Sequence, residues 1–188
     1  MSAKFNFSLH RSAWLLALLI ITSALPAHAQ NELDAPFHYE LTEDGSGYII
    51  SPIQDLRYDN VLFVPATRVS DGLPIVGIKG FSYNNYILAI EFEEGSNLKY
   101  IGPGCFRGCT GIEFIQSLPE SVESFGDYAF SGCSRLEDVP LNSNLKYIGI
   151  SCFEGCTSIR SIKLPKSLET VREAAFKDCT ALESVEFE

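Results

Sequence analysis

Cysteine is the residue type whose spacing most clearly suggests chemistry in this sequence of 188 residues. Two pairs have three residues between their members, Cys105 with Cys109 and Cys152 with Cys156. Thiolates at such a spacing could bind a structural zinc ion, although zinc knuckles more often use Cys-x2-Cys or Cys-x4-Cys. In an oxidising compartment, the six cysteines could instead form disulfides. The choice depends on where the fold places the thiols.

Catalytic arrangements lack essential parts in this sequence. A cysteine nucleophile needs an imidazole beside it, but His38 is the only histidine beyond residue 28 and lies far along the chain from the cysteines. Acidic residues such as Glu91 and Glu93 could supply paired carboxylates to a glycosidase, yet any acidic surface contains such clusters. The sequence has no phosphate-binding glycine loop, no His-Glu-x-x-His and no Gly-x-Ser-x-Gly. We therefore expect no enzyme activity, no metal ion and no cofactor.

The first 29 residues resemble an export signal. Lys4 and Arg11 accompany an apolar run from Ala13 to Leu25, and Ala27-His28-Ala29 has the small-x-small form of a cleavage site. The run is shorter than the roughly 20 residues of a membrane-spanning helix. We predict a cleaved signal peptide at 1–29, no membrane insertion, and a secreted, periplasmic or cell-surface location.

Net charge restricts the partners of the remaining chain. Removal of the signal leaves 12 basic and 24 acidic residues, a net charge of −12. A chain of this charge is repelled by DNA, RNA and anionic lipids. We therefore expect no nucleic-acid partner.

A repeated frame organises the C-terminal part of the sequence. The phrase NLKYIGPGCFRGC at 97–109 returns as NLKYIGISCFEGC at 144–156, and related copies follow each of them. A fainter copy precedes them, with Phe81 and Asn84 in the Phe and Cys slots. Alternate copies share NLKYIG and an extra cysteine, which indicates that two coils were duplicated together. Four copies place in register Phe106, Phe130, Phe153 and Phe176, and Cys109, Cys133, Cys156 and Cys179.

One copy of about 23 residues cannot offset its own chain entropy, so the copies must stack. Stacking predicts parallel strands about 4.8 Å apart, a buried spine of phenylalanine rings, and buried thiols that bond weakly to the backbone. Segments such as GDYAFSGC are predicted to form single helical turns. Adjacent coils could also bring Cys109 near Cys133, and Cys156 near Cys179, for disulfides.

Residues 30–74 do not fit the frame. They contain the alternating segments FHYEL, GYIIS and VLFVP, with turn residues at 43–47 that suit a hairpin. A segment of this kind can cover the first hydrophobic face of a solenoid. We predict an N-terminal β cap at 30–74 and five repeats at 75–188.

The frame resembles the leucine-rich repeats of the BspA or Treponema type, whose unit reads roughly L-x-x-I-x-x-x-A-F-x-x-C-x-x-L-x-x-V-x-L-P. Ala129-Phe130 and Ala175-Phe176 match the Ala-Phe pair, and Pro119 and Pro165 match the closing proline. Cys105 and Cys152 depart from it by replacing the alanine. The resemblance implies a β-rich solenoid, a right-handed leucine-rich repeat coil with parallel strands and short helical turns, capped by the β-hairpin. It also implies adhesion to host matrix proteins or to other bacteria.

Outward positions where the copies differ are the candidates for recognition. On the main strand side, Phe114 stands among small or polar residues, and Arg160 and Lys163 interrupt an acidic row. Exposed aromatic residues beside charges are typical of protein interfaces. The full candidate set is Phe114, Gln116, Asp138, Arg160 and Lys163 on this side, and Tyr100 and Tyr147 on the second strand side.

Two functional hypotheses follow. The first is an exported binding module for a protein or glycan ligand, which could belong to the host extracellular matrix. The second is a scaffold subunit that dimerises through the C-terminal repeat, because Phe176, Leu182, Val185 and Phe187 would lie on an open face if no cap follows. A fragment or a frayed end are the other interpretations of that face.

Overall fold

A computed structural model describes residues 37–53 and 60–188, and this part of the chain forms twelve β-strands and no helix. The predicted signal peptide at 1–29 lies outside the described residues. The strands are β1 (Phe37–Leu41), β2 (Tyr48–Pro52), β3 (Val61–Val64), β4 (Ile75–Ile78), β5 (Ala89–Phe92), β6 (Tyr100–Ile101), β7 (Phe114–Ile115), β8 (Ser124–Phe125), β9 (Tyr147–Ile148), β10 (Ser161–Leu164), β11 (Thr170–Val171) and β12 (Ser184–Phe187).

The strands line two sides of a stacked solenoid. On the first side, β2, β4, β6, β8, β9 and β11 pair in parallel in that order. The second side consists of β3, β5 and β7, a parallel bridge from Phe114 to Asp138, and the parallel pair of β10 and β12. Each coil contributes one segment to each side, which confirms the predicted parallel β-solenoid.

The predicted N-terminal hairpin is also confirmed. Strands β1 and β2 pair antiparallel along their whole length, from Phe37 opposite Pro52 to Leu41 opposite Tyr48. The ring of Phe37 meets the ring of Phe81 edge-on, with their centroids 6.2 Å apart. The hairpin therefore covers the N-terminal end of the hydrophobic core.

The third side is made of turns, so the predicted short helical turns are wrong. The six coils are numbered from that of β2 and β3 to that of β11 and β12. In the fourth coil, which contains β8, Tyr128 and Gly132 have φ values of 58° and 76°, and such left-handed residues interrupt an α-helix. Cys133 N–H donates to the Phe130 carbonyl of its own coil at 3.0 Å, whereas Phe130 N–H donates to the Cys152 carbonyl of the next coil at 2.8 Å. The turns are therefore hydrogen-bonded from coil to coil, as the strands are.

Phenylalanine rings form one column through the core. Successive rings of the column are stacked, with centroids 5.6, 5.3, 5.4 and 5.4 Å apart. The first four rings are fully buried and the last is partly buried. Stacked pairs of this kind contribute roughly 0.5–1.5 kcal/mol beyond the burial of their surface. The rings belong to Phe81, Phe106, Phe130, Phe153 and Phe176.

Replacement of Phe153 by alanine should lower the free energy of unfolding by about 3–5 kcal/mol, because it removes a buried ring stacked on both faces and leaves a cavity. Urea unfolding followed by circular dichroism measures this change. Phe114→Ala removes a ring that is 49% exposed and is the matched control, with an expected loss of about 1 kcal/mol or less. Equal losses in the two variants would contradict the proposed importance of the column.

Candidate functional site

Phe114 lies on the outer surface of the sheet formed by β3, β5 and β7. Its side chain is 49% exposed. The parallel register places it between Ala89, which is buried, and Asp138, which is exposed. An aromatic ring with a carboxylate one coil away is therefore open to a ligand.

The two predicted basic residues lie further along the same side. Arg160 and Lys163 are both exposed, the first just before β10 and the second within it. Lys163 Nζ lies 2.8 Å from Glu188 Oε1, and this hydrogen bond raises the pKa of Lys163 and lowers the pKa of Glu188. The basic island is therefore partly neutralised within the protein.

Gln116 lines an open groove of about 560 Å³ beyond the ends of β5 and β7. The groove also contains Phe92 and the carboxylates of Glu93, Glu94 and Glu120. Two of these carboxylates are held in place, since Glu93 Oε2 accepts the Ala66 N–H at 2.7 Å and Glu120 Oε2 accepts the Ser143 hydroxyl at 2.9 Å. Gln116 and Phe114 are both exposed and are two residues apart, so the groove begins near the exposed ring, although Phe114 does not line it.

Tyr100 and Tyr147 lie on the other strand side, in β6 and β9. Ser124 separates them in the same column of the sheet. The ring of Tyr100 packs against Gly77 of the preceding coil, where a Cβ atom would lie 2.4 Å from the ring. This partial burial raises the pKa of Tyr100. The candidate residues thus form two separate surfaces.

No group of three or more His, Cys, Asp or Glu side chains within residues 37–53 and 60–188 is arranged to hold a metal ion. The cysteine pairs with Cys-x3-Cys spacing show why. Cys109 Sγ donates to the carbonyl of Phe81 at 3.0 Å, and Cys156 Sγ donates to the carbonyl of Phe130 at 3.2 Å. The thiols at these frame positions are directed at the backbone of the preceding coil.

The repeat units match a known family. A family model described as the BspA type leucine-rich repeat region matches residues 74–188 with six copies, more than half of the chain. The chain belongs to this family. A comparison with curated proteins finds no match.

Solved structures of bacterial leucine-rich repeat proteins share the fold. The T. pallidum leucine-rich repeat protein is 30% identical, with a TM-score of 0.71, over 80% of this chain and 68% of that one. A leucine-rich repeat protein of Bacteroides ovatus is 26% identical, with a TM-score of 0.69, over 80% of this chain and 39% of its own. A leucine-rich cell surface protein of Faecalibacterium prausnitzii is 22% identical, with a TM-score of 0.70, over 82% and 42%, and at this identity it shows the fold alone. The chain spans about two fifths of the last two proteins.

The six thiols of this BspA-type protein are free and buried. Cys133 and Cys179 bond to the carbonyls of Phe106 and Phe153, both at 3.1 Å. Burial raises the pKa of every one of the six, to about 11 for Cys109 and about 12 for Cys156. Such thiols stay protonated at neutral pH and react poorly.

Exposed tyrosines on the turn side were not predicted from the sequence. Tyr83, Tyr86 and Tyr128 are 66%, 54% and 37% exposed. Tyr83 follows the frame phenylalanine by two residues, a position that holds glycine in the next three copies. That departure from the frame is the sequence signal for an exposed tyrosine on the turn side.

Raising the pH from 8 to 11 should lower the free energy of unfolding. The thiol pKa values are higher in the folded chain than the value of about 8.5 expected in the unfolded chain. As the pH rises above about 8.5, the thiols therefore ionise in the unfolded chain at a lower pH than in the folded chain. This ionisation favours the unfolded chain, so the free energy of unfolding falls. Each thiol contributes about 1.4 kcal/mol for each pH unit between its two pKa values. Urea unfolding at stepped pH in a reducing buffer measures the slope.

The matched variant for this slope is Cys105→Ala with Cys152→Ala. Alanine occupies the same frame position at Ala129 and Ala175, both buried, so the fold should accept it. The double variant should lose stability less steeply with pH, because two high-pKa thiols are gone. An unchanged slope would show that the buried thiols do not govern the alkaline loss.

Proposed function

We propose that this protein is an exported leucine-rich repeat module that binds a protein ligand without catalysis, through the outer surface of the β3, β5 and β7 sheet. Phe114 is the observation that carries the proposal. Its ring is half exposed at a position where the neighbouring coils have Ala89 and Asp138. A half-exposed aromatic ring of this kind can anchor a binding partner, because a further burial of its surface is favourable.

The acidic groove beside Phe114 favours a ligand with basic as well as apolar side chains. Three acidic residues, Glu93, Glu94 and Glu120, line the groove. The chain as a whole has a net charge of −10, so its field also favours approach of basic surfaces. A protein of the host extracellular matrix or of another cell would meet these requirements.

Export is the second part of the proposal. It rests on the sequence of residues 1–29, which has the basic start, apolar run and small residues of a signal peptide. Among the described residues, no helix has the length and apolar character needed to cross a membrane.

Self-association is the alternative function. In the sixth coil, Val171 and Val185 are each 43% exposed and Phe187 is 79% exposed. Strand β12 pairs with β10 on one edge only among the described strands. A second copy could extend this edge and bury the apolar side chains.

Binding to immobilised collagen, laminin and fibronectin tests the main proposal by surface plasmon resonance. Phe114→Ala should weaken the affinity for whichever protein binds by at least about tenfold, because truncation of an anchor residue of an interface costs about 2 kcal/mol or more and tenfold corresponds to about 1.4 kcal/mol. Ser161→Ala, also exposed on this side, is the matched control and should have no effect. Unchanged binding by a variant that combines Phe114→Ala, Arg160→Ala and Lys163→Ala would count against this surface.

Sedimentation equilibrium tests the alternative. If the sixth coil joins two copies, the protein should be dimeric at micromolar concentration, and Phe187→Ser should shift it towards monomer. Tyr83→Ser, a change to an exposed residue far from that coil, should leave the dimer intact. A strict monomer at high concentration would exclude self-association through this coil.

A further inference from the structure

We propose a second interaction surface on the turn side of the solenoid, formed by Tyr83, Arg107 and Tyr128 and named the turn patch here. The partner it fits is a protein segment in which a carboxylate side chain is flanked by apolar residues. The turn patch lies on a different side from Phe114. It therefore stands independently of the sheet surface.

The three side chains of the turn patch are contiguous across three coils. The ring of Tyr83 lies over Gly108, where an added Cβ atom would be 2.5 Å from Tyr83 Cδ1. The residue before Gly108 is Arg107, whose Cζ is 5.2 Å from the centroid of the Tyr128 ring. Arg107 thus has one exposed ring beside its guanidinium, and a second exposed ring lies over the glycine that follows it.

Both tyrosines occupy positions that the fold fills more easily with glycine. Tyr83 and Tyr128 have φ values of 59° and 58°, in the left-handed region where a bulky residue is strained. The position of Tyr83 holds Gly108, Gly132 and Gly155 in the next three coils. The position of Tyr128 holds Gly104 in the coil before it, and Ser151 and Ala174, which are also left-handed, in the two coils after it. Since the two rings are 66% and 37% exposed, core packing does not require them. Large exposed rings at left-handed positions where the other coils have smaller residues point to a role in recognition.

Tyrosine and arginine are the residue types that dominate binding energy at protein interfaces. The backbone of the two tyrosines in the turn patch is also held in a fixed conformation before a partner binds. Tyr83 N–H donates to the Arg107 carbonyl at 2.7 Å, and Tyr128 N–H donates to the Ile150 carbonyl at 2.8 Å, so the backbone of both is fixed by the next coil. A fixed surface loses little conformational entropy on binding.

The chemistry of Arg107 identifies the partner group. Among the described residues its guanidinium forms no hydrogen bond or ion pair, although it lies over Tyr128. Its charge contributes to the lowered pKa of Glu154, but the hydrogen bond from Lys177 Nζ, at 2.7 Å, is the main cause. A guanidinium stacked on a ring keeps its N–H edge free to bind a carboxylate through two parallel hydrogen bonds.

The two tyrosine rings and the net charge of the chain further restrict the chemical class of the partner. The exposed rings of Tyr128, against the guanidinium, and of Tyr83, over Gly108, favour apolar side chains near the bound carboxylate. The chain carries a net charge of −10 and repels a densely charged anionic polymer. A single aspartate or glutamate within an apolar protein segment satisfies both conditions.

Selection from a displayed library of random dodecapeptides tests the turn patch. Peptides are selected on the wild-type protein and counter-selected on the triple variant Tyr83→Gly, Arg107→Ser and Tyr128→Gly. Each substitution copies a residue found at the same frame position in another coil, namely Gly108, Ser131 and Gly104. The variant should therefore keep its fold, with an unchanged or higher Tm because the strained tyrosines are gone. If the triple variant does not fold, Arg107→Ser alone replaces it.

Enriched peptides should contain aspartate or glutamate between apolar residues. A synthetic peptide of that sequence should bind the wild type at least about tenfold more tightly than Arg107→Ser, and should lose the same factor when its own carboxylate becomes an amide. Phe114→Ala should bind it as the wild type does, which separates this surface from the sheet surface.

Three results would overturn the proposal. One is the recovery of no peptide that distinguishes the wild type from the variant. Another is enrichment of peptides without an acidic residue. The third is that the triple variant loses dimerisation, or loses binding of a neutral oligosaccharide such as cellohexaose, that the wild type shows. Either loss would assign the surface to a different occupant.

Discussion

Hydrogen bonding between successive coils is the constraint on which the rest of the structure depends. It acts on both strand sides and on the turn side, where Gly132 N–H donates to the Glu154 carbonyl of the next coil at 2.7 Å. Parallel pairing spaces the coils by about 4.8 Å and brings each frame position above the same position in the coil below. The phenylalanine column and the cysteine contacts are consequences of that register. A thiol such as Cys133 finds its acceptor, the Phe106 carbonyl, only because the coils are aligned.

The same register explains why the repeated unit is a pair of coils. Identical charged residues stacked at this spacing would repel each other, so the column of Lys99, Glu123, Lys146 and Glu169 alternates in sign. Lys146 Nζ lies 2.8 Å from Glu123 Oε2, and this contact raises the pKa of the lysine and lowers the pKa of the glutamate. Exposed pairs of this kind stabilise a fold only slightly. These ion pairs instead favour an order in which a coil with lysine in this column is followed by a coil with glutamate.

A similar alternation of size accompanies the charges. Tyr100 and Tyr147 share a column in which Gly77, Ser124 and Thr170 occupy the other coils. A tyrosine ring can lie over a small neighbour, as that of Tyr100 does over Gly77, but two stacked rings would compete for the same space. Two kinds of coil therefore fit against each other. One has lysine followed by tyrosine, and the next has glutamate followed by a small residue. The repetition of NLKYIG in every second coil reflects this packing and charge compatibility.

The stacked fold could be predicted from the sequence because four copies of Phe and Cys share one spacing, and only a parallel stack uses such a spacing. The hairpin was predictable from alternating segments around a turn. The turn geometry could not be predicted. A segment such as GDYAFSGC is compatible with a helical turn, and the hydrogen bond from Tyr128 N–H to the next coil, which accompanies its left-handed backbone, is visible only in the stacked structure. The candidate surface on the strands could be named from deviations in a column, as with Phe114. Its neighbouring groove could not, because Glu93 and Glu120 come from different coils and meet only in three dimensions.

Columns also limit where recognition can evolve in a solenoid. A residue that conforms to its column is held by the coils on either side, so changing it disturbs the stack. A residue that departs from its column, with its side chain outside the core, can change without that penalty. Phe114 and Tyr83 are departures of this kind on two different sides of the solenoid, and both side chains are about half exposed or more. The two proposed surfaces differ in chemistry, since acidic residues lie near Phe114 whereas Arg107 lies over Tyr128, so they would select different partners.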